Sequence, residues 1–196
     1  MIDTNTINYY DENAEAYDLS TRTIFPKDQL ETFITHLPAG AKVCDIGCGS
    51  GRDTIFLRQR GFAVTSVEPS VKLCKIVENR TGISPLCVAA QDINDIEEYE
   101  GIWACASLLH VHEEELPSVV DKIHRALKPN GVFYCSFKKG SGTARDDNGR
   151  LQTKFTLSSL TNLTHKFKTI RAWITKDHTT GRCEWVNVIC RKEAAT

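Results

Sequence analysis

The alternation of short apolar strands with helical patterns between Lys42 and Gly131 is the feature that most restricts the fold of this chain. Each apolar run is followed by a stretch in which apolar residues recur at helical spacing. The predicted strands are Val43–Ile46, Phe62–Val67, Pro85–Ala89, Ile102–Ser107 and Val132–Phe137, and the predicted helices end at Arg60, Asn79 and Leu127. Strands that alternate with helices form βαβ units, so this pattern predicts a doubly wound α/β fold with a mostly parallel sheet and helices on both faces.

The C-terminal part of the chain departs from this alternation. Residues Gly140 to Gly149 are polar and glycine-bearing, which predicts a mobile loop, and a short helix is expected near Leu157 to Leu163. Two apolar runs, Phe167–Ile174 and Cys183–Cys190, flank six residues of turn chemistry. They predict an antiparallel hairpin that closes the sheet.

Length and composition exclude several classes of protein. The 196 residues suffice for one substantial domain, and 41% hydrophobic with 25% charged residues is typical of a soluble globular protein. The longest apolar-looking stretch, Ile102–Val111, is too short to span a bilayer, and the N-terminus lacks an export pattern. A cytoplasmic location is therefore expected. The eight cysteines lack a CxxC pair, which predicts mostly buried free thiols and no metal site.

The charges are distributed unevenly along the chain. Residues 137–192 hold twelve Lys and Arg against four Asp and Glu, a net charge of +8, whereas the remainder carries −9. Such an asymmetry suggests an anionic partner or substrate for the basic part. The alternative is that these charges form solvated faces that neutralise one another.

A glycine-rich segment at the end of the first predicted strand carries the sharpest local signal. Gly47, Gly49 and Gly51 follow Asp45 in the order D-x-G-x-G-x-G, where the strand turns into a helix. Glycines let the backbone approach a ligand closely at such a turn, and the helix N–H groups face it. The dinucleotide fingerprint needs G-x-G-x-x-G, which this spacing does not provide.

Two acidic residues follow the next strands along the chain. Glu68 ends the second predicted strand, where its carboxylate can accept both hydrogen bonds of a ribose diol. Asp92 follows the third and borders the same crevice, so it can accept from an adenine amino group while Ile93 holds the ring. Asp92 also belongs to an acidic run, which favours a solvated surface at this position more than at Glu68.

The segments DIGCGSG (45–51), VEPS (67–70), QDI (91–93) and WACASLLHV (103–111) occur in this order. Together they resemble the seven-stranded, class I S-adenosylmethionine-dependent methyltransferases, and most of all the small bacterial tellurite-resistance-type enzymes. The resemblance implies the strand order 3-2-1-4-5-7-6 with the last strand antiparallel. It also implies a single domain over 1–196, with an N-terminal helical lid (1–40), a cofactor-binding half (41–137) and a substrate-side loop and hairpin (138–196).

The resemblance further implies S-adenosyl-L-methionine as the cofactor and assigns its contacts. The implied residues are Asp45, Gly47, Cys48 and Gly49 for the amino acid part, Glu68 and Pro69 for the ribose, Asp92 and Ile93 for the adenine, Ser107 and Leu108 beside the sulfonium, and Tyr9 and Tyr17 in the lid. Simple packing of an amphipathic helix is the alternative for the two tyrosines.

Methyl transfer is an in-line displacement that needs alignment of the reactants and exclusion of water. A general base is required only for a nucleophile that carries a proton at neutral pH, and His110 and His112 are the candidates.

The basic C-terminal part predicts a small, anionic acceptor. Lys138, Arg145, Arg150 and Arg182 are the side chains expected to receive it. A nucleic acid acceptor is not expected, because the aromatic residues of this part fall at strand or core spacing rather than on a stacking face. Three alternatives stay open: an RNA or protein methyltransferase with the same cofactor site, an NAD-dependent domain, and a cofactor-binding domain without catalysis.

Overall fold

The computed structural model describes residues 2–176 and 183–194. The helices are α1 (Thr4–Glu12), α2 (Ala14–Thr21), α3 (Lys27–Ile34), α4 (Arg52–Gln59), α5 (Val71–Thr81), α6 (Leu116–Ala126) and α7 (Leu157–Leu163). The strands are β1 (Lys42–Ile46), β2 (Ala63–Val67), β3 (Tyr99–Ala104), β4 (Leu127–Lys138), β5 (Gly142–Arg145), β6 (Leu151–Lys154), β7 (Lys168–Lys176) and β8 (Glu184–Arg191).

Six of these strands form one sheet in the order β2-β1-β3-β4-β8-β7. Strand β1 is parallel to β2 and β3, and β3 is parallel to β4. Strand β8 runs antiparallel to both β4 and β7. The predicted α/β class with a mostly parallel sheet is therefore confirmed, and so is the antiparallel pairing at its end.

The predicted strand over Pro85–Ala89 is reduced to one parallel bridge between Val67 and Leu86, so the sheet has six strands instead of seven. The bridge is held by the Glu68 N–H, which donates to the Leu86 carbonyl at 3.0 Å. Pro85 lacks a backbone donor, and the side chains of Leu86 and Val88 are exposed at this edge. A short edge segment with few buried contacts does not sustain a longer ladder.

The segment Gly140 to Gly149, predicted as a mobile loop, instead enters an antiparallel hairpin of β5 and β6. Its register pairs Gly142 with Lys154 and Arg145 with Leu151. All four residues of β5 are exposed, which explains why their sequence is polar and resembles a loop. The turn over 177–182, predicted to join β7 and β8, lies outside the described residues.

The apolar core lies on both faces of the sheet. On one face, α6 contributes Leu116, Val119, Val120 and Ile123, whose i, i+3, i+4, i+7 spacing forms one apolar stripe. On the other face, the buried residues Leu30 and Phe33 of α3 pack with Leu57 of α4.

A buried polar chain fixes the start of α4 against three strands. The Trp103 indole Nε1 donates to Asp53 Oδ2 at 2.9 Å, and the ring stacks on Tyr134 with centroids 3.9 Å apart. The Tyr134 hydroxyl donates to Asn187 Oδ1 at 2.8 Å. This series of contacts holds α4, and with it the glycine loop that directly precedes α4, at the carboxyl edge of the sheet.

Two composition-based expectations concern the whole fold. All eight cysteines carry free thiols, and five of them are buried. Across the part of the chain that the structure describes, no helix is both long and apolar enough to cross a membrane.

The contact between α3 and β3 yields a test of the fold. A Cβ added to Gly101 would lie 2.9 Å from Phe33 Cζ and 3.0 Å from the Leu37 methyl carbons. Because the packed core cannot absorb this volume, Gly101→Val is expected to lower the free energy of unfolding by about 1–3 kcal/mol in urea denaturation. The control Ala63→Val, at an exposed position of β2, is expected to change it by about 0.5 kcal/mol or less. Equal stability of the two variants would contradict this packing.

Candidate active site

A cleft of about 720 Å³ opens at the carboxyl ends of β1, β2 and β3. Its floor comes from the glycine loop after β1, from Glu68 and Pro69 after β2, and from residues 106–108 after β3. Helix α1 covers it with side chains that include Thr6 and Tyr10. In parallel sheets this edge is where ligands bind, so the topology identifies the cleft as the candidate active site.

The glycine loop adopts backbone conformations that other residues rarely tolerate. Gly47 and Gly49 have φ values of +68° and +57°, in the left-handed region. A Cβ on Gly47 would lie 2.3 Å from the Ser107 Cβ, and one on Gly49 would lie 3.2 Å from the Tyr17 ring. The loop thus packs directly against the segment after β3 and against α2, and both glycines line the cleft.

The Glu68 carboxylate is buried and holds the glycine loop in place. Its Oε2 accepts from the Gly49 N–H at 3.0 Å and its Oε1 accepts from the Ser70 N–H at 2.9 Å. Burial raises the pKa of Glu68 to about 7, although these two backbone donors favour the ionised form. Each carboxylate oxygen keeps a further acceptor position, so Glu68 can also accept from a diol in the cleft.

Asp45 and Cys48 lie beneath the loop and do not line the cleft. Asp45 Oδ2 accepts from the Thr54 hydroxyl at 2.6 Å. Burial, together with the neighbouring charge of Asp53, raises the pKa of Asp45. Burial likewise raises the pKa of the Cys48 thiol. In this position Asp45 ties the loop to the first turns of α4.

The predicted adenine and lid residues divide between the cleft and its surroundings. Asp92 is exposed and Ile93 is buried in the core, whereas the preceding residues Ala90 and Gln91 line the cleft. Tyr17 lines the cleft, but Tyr9 does not and instead lies against the Arg150 guanidinium, 4.7 Å from its ring centroid.

The segment after β3 is strained and carries an unpaired polar atom. Ala106 has a φ of +52°, which is uncommon for a residue with a side chain, and its N–H donates to Ser136 Oγ at 2.9 Å. The next residue, Ser107, lines the cleft, and its buried Oγ has no hydrogen-bond partner. A buried hydroxyl without a partner beside an open cleft is a position where a ligand completes the hydrogen bonding.

The N-terminal helix is fastened to the β5–β6 hairpin by polar contacts. Asp3 caps α1 and forms an ion pair with Arg145 at 2.8 Å. The Leu151 N–H donates to the Thr6 hydroxyl at 2.9 Å. Burial alone would raise the pKa of Asp3, but hydrogen bonds from Arg145 and Thr6 lower it to about 2. Helix α1 is therefore held in place by a charged group that stays ionised at neutral pH.

Tyr10, which is not among the site residues predicted from the sequence, connects helix α1 to His110. The Tyr10 hydroxyl lies 2.9 Å from His110 Nε2 and accepts from Arg150 at 3.2 Å. His110 Nδ1 lies 2.7 Å from the Leu151 carbonyl, which can only accept, so Nδ1 carries the proton and Nε2 accepts from Tyr10. Burial lowers the pKa of His110 to about 4, so the imidazole is neutral near pH 7.

Of the remaining predicted catalytic and substrate residues, those that the structure describes do not line the cleft. His112 is exposed, and Lys138 is half-buried outside the cleft. Arg145 is paired with Asp3, and Arg150 is paired with Asp146 at 2.8 Å. Arg182 lies outside the described residues.

A parallel α/β sheet with a left-handed glycine loop and an acid on the adjacent strand defines a Rossmann-like cofactor-binding protein. The chain belongs to the methyltransferase domain family, whose model matches residues 17–178. The membership of a methyltransferase family that the sequence predicts is therefore confirmed.

Individual relatives are more distant. The uncharacterized methyltransferase sll0829 of Synechocystis is 33% identical over 99 residues, which are 48% of this chain and 45% of that protein. The chain spans about half the length of the first curated relatives that it matches. The solved 1,6-didemethyltoxoflavin-N1-methyltransferase of Burkholderia thailandensis superposes with a TM-score of 0.82 at 20% identity, covering 97% of this chain and 88% of that chain. TehB from Haemophilus influenzae gives 0.73 at 15% identity, covering 92% and 67%. These two structures establish a likeness of fold.

The residues of the cleft fit S-adenosyl-L-methionine. The unpaired Ser107 hydroxyl and the Glu68 carboxylate offer two polar partners, and apolar side chains such as Leu73 and Leu108 line the same cleft. A mostly apolar cleft with a few polar groups is typical of cofactor sites.

The raised pKa of Glu68 yields a pH-dependence test. The pKa of Glu68 in the fold lies above its ordinary value of 4.5, so the fold favours the protonated side chain. Its contribution to the free energy of unfolding is therefore full below pH 4.5 and is lost as the pH rises through about 7. Between pH 4.5 and 8 the free energy of unfolding of the native chain is expected to fall by about 3 kcal/mol more than that of Glu68→Gln. Urea unfolding at both pH values measures this difference. Asp45 titrates in both proteins, and the loss of the Glu68 charge also removes one cause of its raised pKa. Parallel pH profiles of the two proteins would contradict the buried position of Glu68.

Proposed function

We propose that the chain transfers the methyl group of S-adenosyl-L-methionine to a small-molecule acceptor. The observation that carries this proposal is the cleft at the carboxyl edge of the sheet. The glycine loop, Glu68 and the unpaired Ser107 hydroxyl all line this cleft beneath α1. When bound there, the cofactor supplies an electrophilic methyl group on a sulfonium.

In this proposal the residues of the chain bind and orient the cofactor and exclude water. Glu68 accepts from the ribose, the backbone of Gly47 and Gly49 approaches the amino acid part, and residues 89–91 border the adenine. Ser107 and Leu108 flank the sulfonium. Tyr10 and Tyr17 close the cleft from the lid. Asp45 and Cys48 support the loop from beneath, and Pro69 continues the wall after Glu68.

We propose a positioning role for His110. Both of its nitrogens are engaged, one with Tyr10 and one with Leu151, so the imidazole joins the lid to the hairpin. Any proton that it takes from the cleft passes through the Tyr10 hydroxyl. A nucleophile that is already deprotonated at neutral pH needs no base, which favours the anionic acceptor expected from the sequence.

A small acceptor is favoured over RNA or protein because α1 covers the cleft. The lid is tied down by the Asp3–Arg145 ion pair and by Tyr10, which limits the space for a macromolecular chain. The Burkholderia neighbour is named as a methyltransferase of a small molecule, which supports the same class of acceptor.

Calorimetric titration with S-adenosyl-L-methionine and with NAD tests the cofactor. Binding of the former and not of the latter is expected. Gly49→Val is expected to abolish that binding, because its side chain requires a disfavoured φ of +57° and meets the Tyr17 ring. The control Gly82→Ala, which also has a positive φ but meets open space outside the cleft, is expected to bind normally. Undiminished binding by Gly49→Val would show that the loop is not the cofactor site.

Turnover is measured as transfer of a radiolabelled methyl group to pools of metabolites, RNA and protein, and label in the metabolite pool is expected.

Tyr10→Phe tests the positioning role of the lid. The variant loses the hydroxyl that donates to His110 and accepts from Arg150, so the affinity for S-adenosylhomocysteine is expected to fall about fivefold. The pKa of His110, measured by NMR titration of the imidazole, is expected to rise from about 4 because the donor that favours the neutral ring is gone. Tyr9→Phe is the matched control, since Tyr9 does not line the cleft. An unchanged pKa of His110 in Tyr10→Phe would rule out this link.

A further inference from the structure

A second cavity, partly open to solvent, adjoins the cleft at Ala106. Ala106 lines both spaces, Ser107 lines the cleft only, and Cys105 lines the second cavity only. The left-handed backbone at Ala106 therefore forms the wall at which the two spaces meet. Since a methyl acceptor must reach contact distance, about 3–3.5 Å, of the methyl carbon, a cavity that shares a wall with the cofactor cleft is suitably placed for it.

Gln29 provides independent evidence that this cavity holds a ligand. It lies on α3, is only 5% exposed, and lines the second cavity. Its buried Oε1 has no hydrogen-bond partner. Buried polar groups are nearly always paired, and an unpaired one costs about 1–3 kcal/mol, so this amide is suited to a ligand that donates a hydrogen bond.

The remaining walls describe the shape and charge of such a ligand. The aromatic side chains of Tyr134 and Trp185 line the cavity, which suits a planar molecule. The charged residues that line it are Arg52 and Lys176, without an Asp or Glu among the described residues. Arg52 is already paired with Asp53 at 2.7 Å, whereas Lys176 forms no ion pair within the ranges 2–176 and 183–194.

We propose that the second cavity binds the methyl acceptor, a small planar molecule that donates a hydrogen bond to Gln29 and carries a negative charge toward Lys176. This inference rests on the proposed function. A lone pair of the acceptor forms the new bond to the methyl carbon beside Ala106, while the methyl–sulfur bond breaks and its electron pair stays on sulfur. The attacking atom is the one that carries the negative charge, so it becomes neutral on methylation and no proton is released.

Ligand-observed NMR on the full chain saturated with S-adenosylhomocysteine tests the proposal. The probes are 4-hydroxybenzoate, benzoate, which lacks the donor, and methyl 4-hydroxybenzoate, which lacks the charge. Saturation transfer to 4-hydroxybenzoate is expected, with affinity about fivefold or more above that for either counterpart. Equal binding of the three probes, or binding of none, would overturn the proposal.

Two variants locate the binding. Gln29→Leu is expected to weaken 4-hydroxybenzoate binding about fivefold, and Cys105→Phe, which fills the cavity, is expected to abolish it. The matched control is Gln152→Leu, because Gln152 also has a buried unpaired Oε1 but lies outside this cavity. It is expected to leave probe binding unchanged.

The affinity for S-adenosylhomocysteine separates the two proposals. In Gln29→Leu and Cys105→Phe it is expected to stay within about twofold of the native value, which also shows that the variants fold. A parallel loss of cofactor and probe binding in Gln29→Leu would assign the cavity to the cofactor and refute the inference. If the native chain itself fails to bind S-adenosylhomocysteine, the proposed function fails instead.

Discussion

The hydrogen bonds that the Glu68 carboxylate accepts from Gly49 and Ser70 are the interaction on which the rest of the site depends. They join the loop after β1 to the end of β2 and to the first turn of α5. The loop can accept this arrangement only because Gly49 and Gly47 occupy the left-handed region. The carboxylate is therefore both a structural support for the cleft and a polar group on its surface, and its burial explains the raised pKa.

The lid is held by a different kind of contact. Helix α1 reaches the β5–β6 hairpin through the Asp3–Arg145 ion pair and the Tyr10 hydroxyl, which are polar and partly exposed. These contacts join α1 to the hairpin rather than to the sheet, so the sheet and the glycine loop do not depend on them.

The sequence predicted those features that depend on neighbours along the chain. The glycine spacing and the acid after an apolar strand located the loop and Glu68, because strand ends converge at one edge of a parallel sheet. The length of the strand at Pro85–Ala89 was overestimated, because its apolar pattern is that of an inner strand. The segment lies at the edge of the sheet and pairs on one side only. The roles of Tyr10 and Gln29 could not be predicted, since each depends on contacts with distant elements, such as Tyr10 with His110.

The charge asymmetry of the sequence acquires a more limited meaning in the structure. Several cations of the basic C-terminal part pair with acids elsewhere in the chain, as Arg145 does with Asp3 and Lys166 with Asp121 at 2.6 Å. These ion pairs join the basic C-terminal part to the rest of the fold, and they neutralise much of its net positive charge. What remains relevant to an acceptor is local: Lys176 at a cavity that also presents the unpaired amide of Gln29. Because desolvated groups interact more strongly than exposed ones, that single buried amide is a better guide to the acceptor than the overall charge of its surroundings.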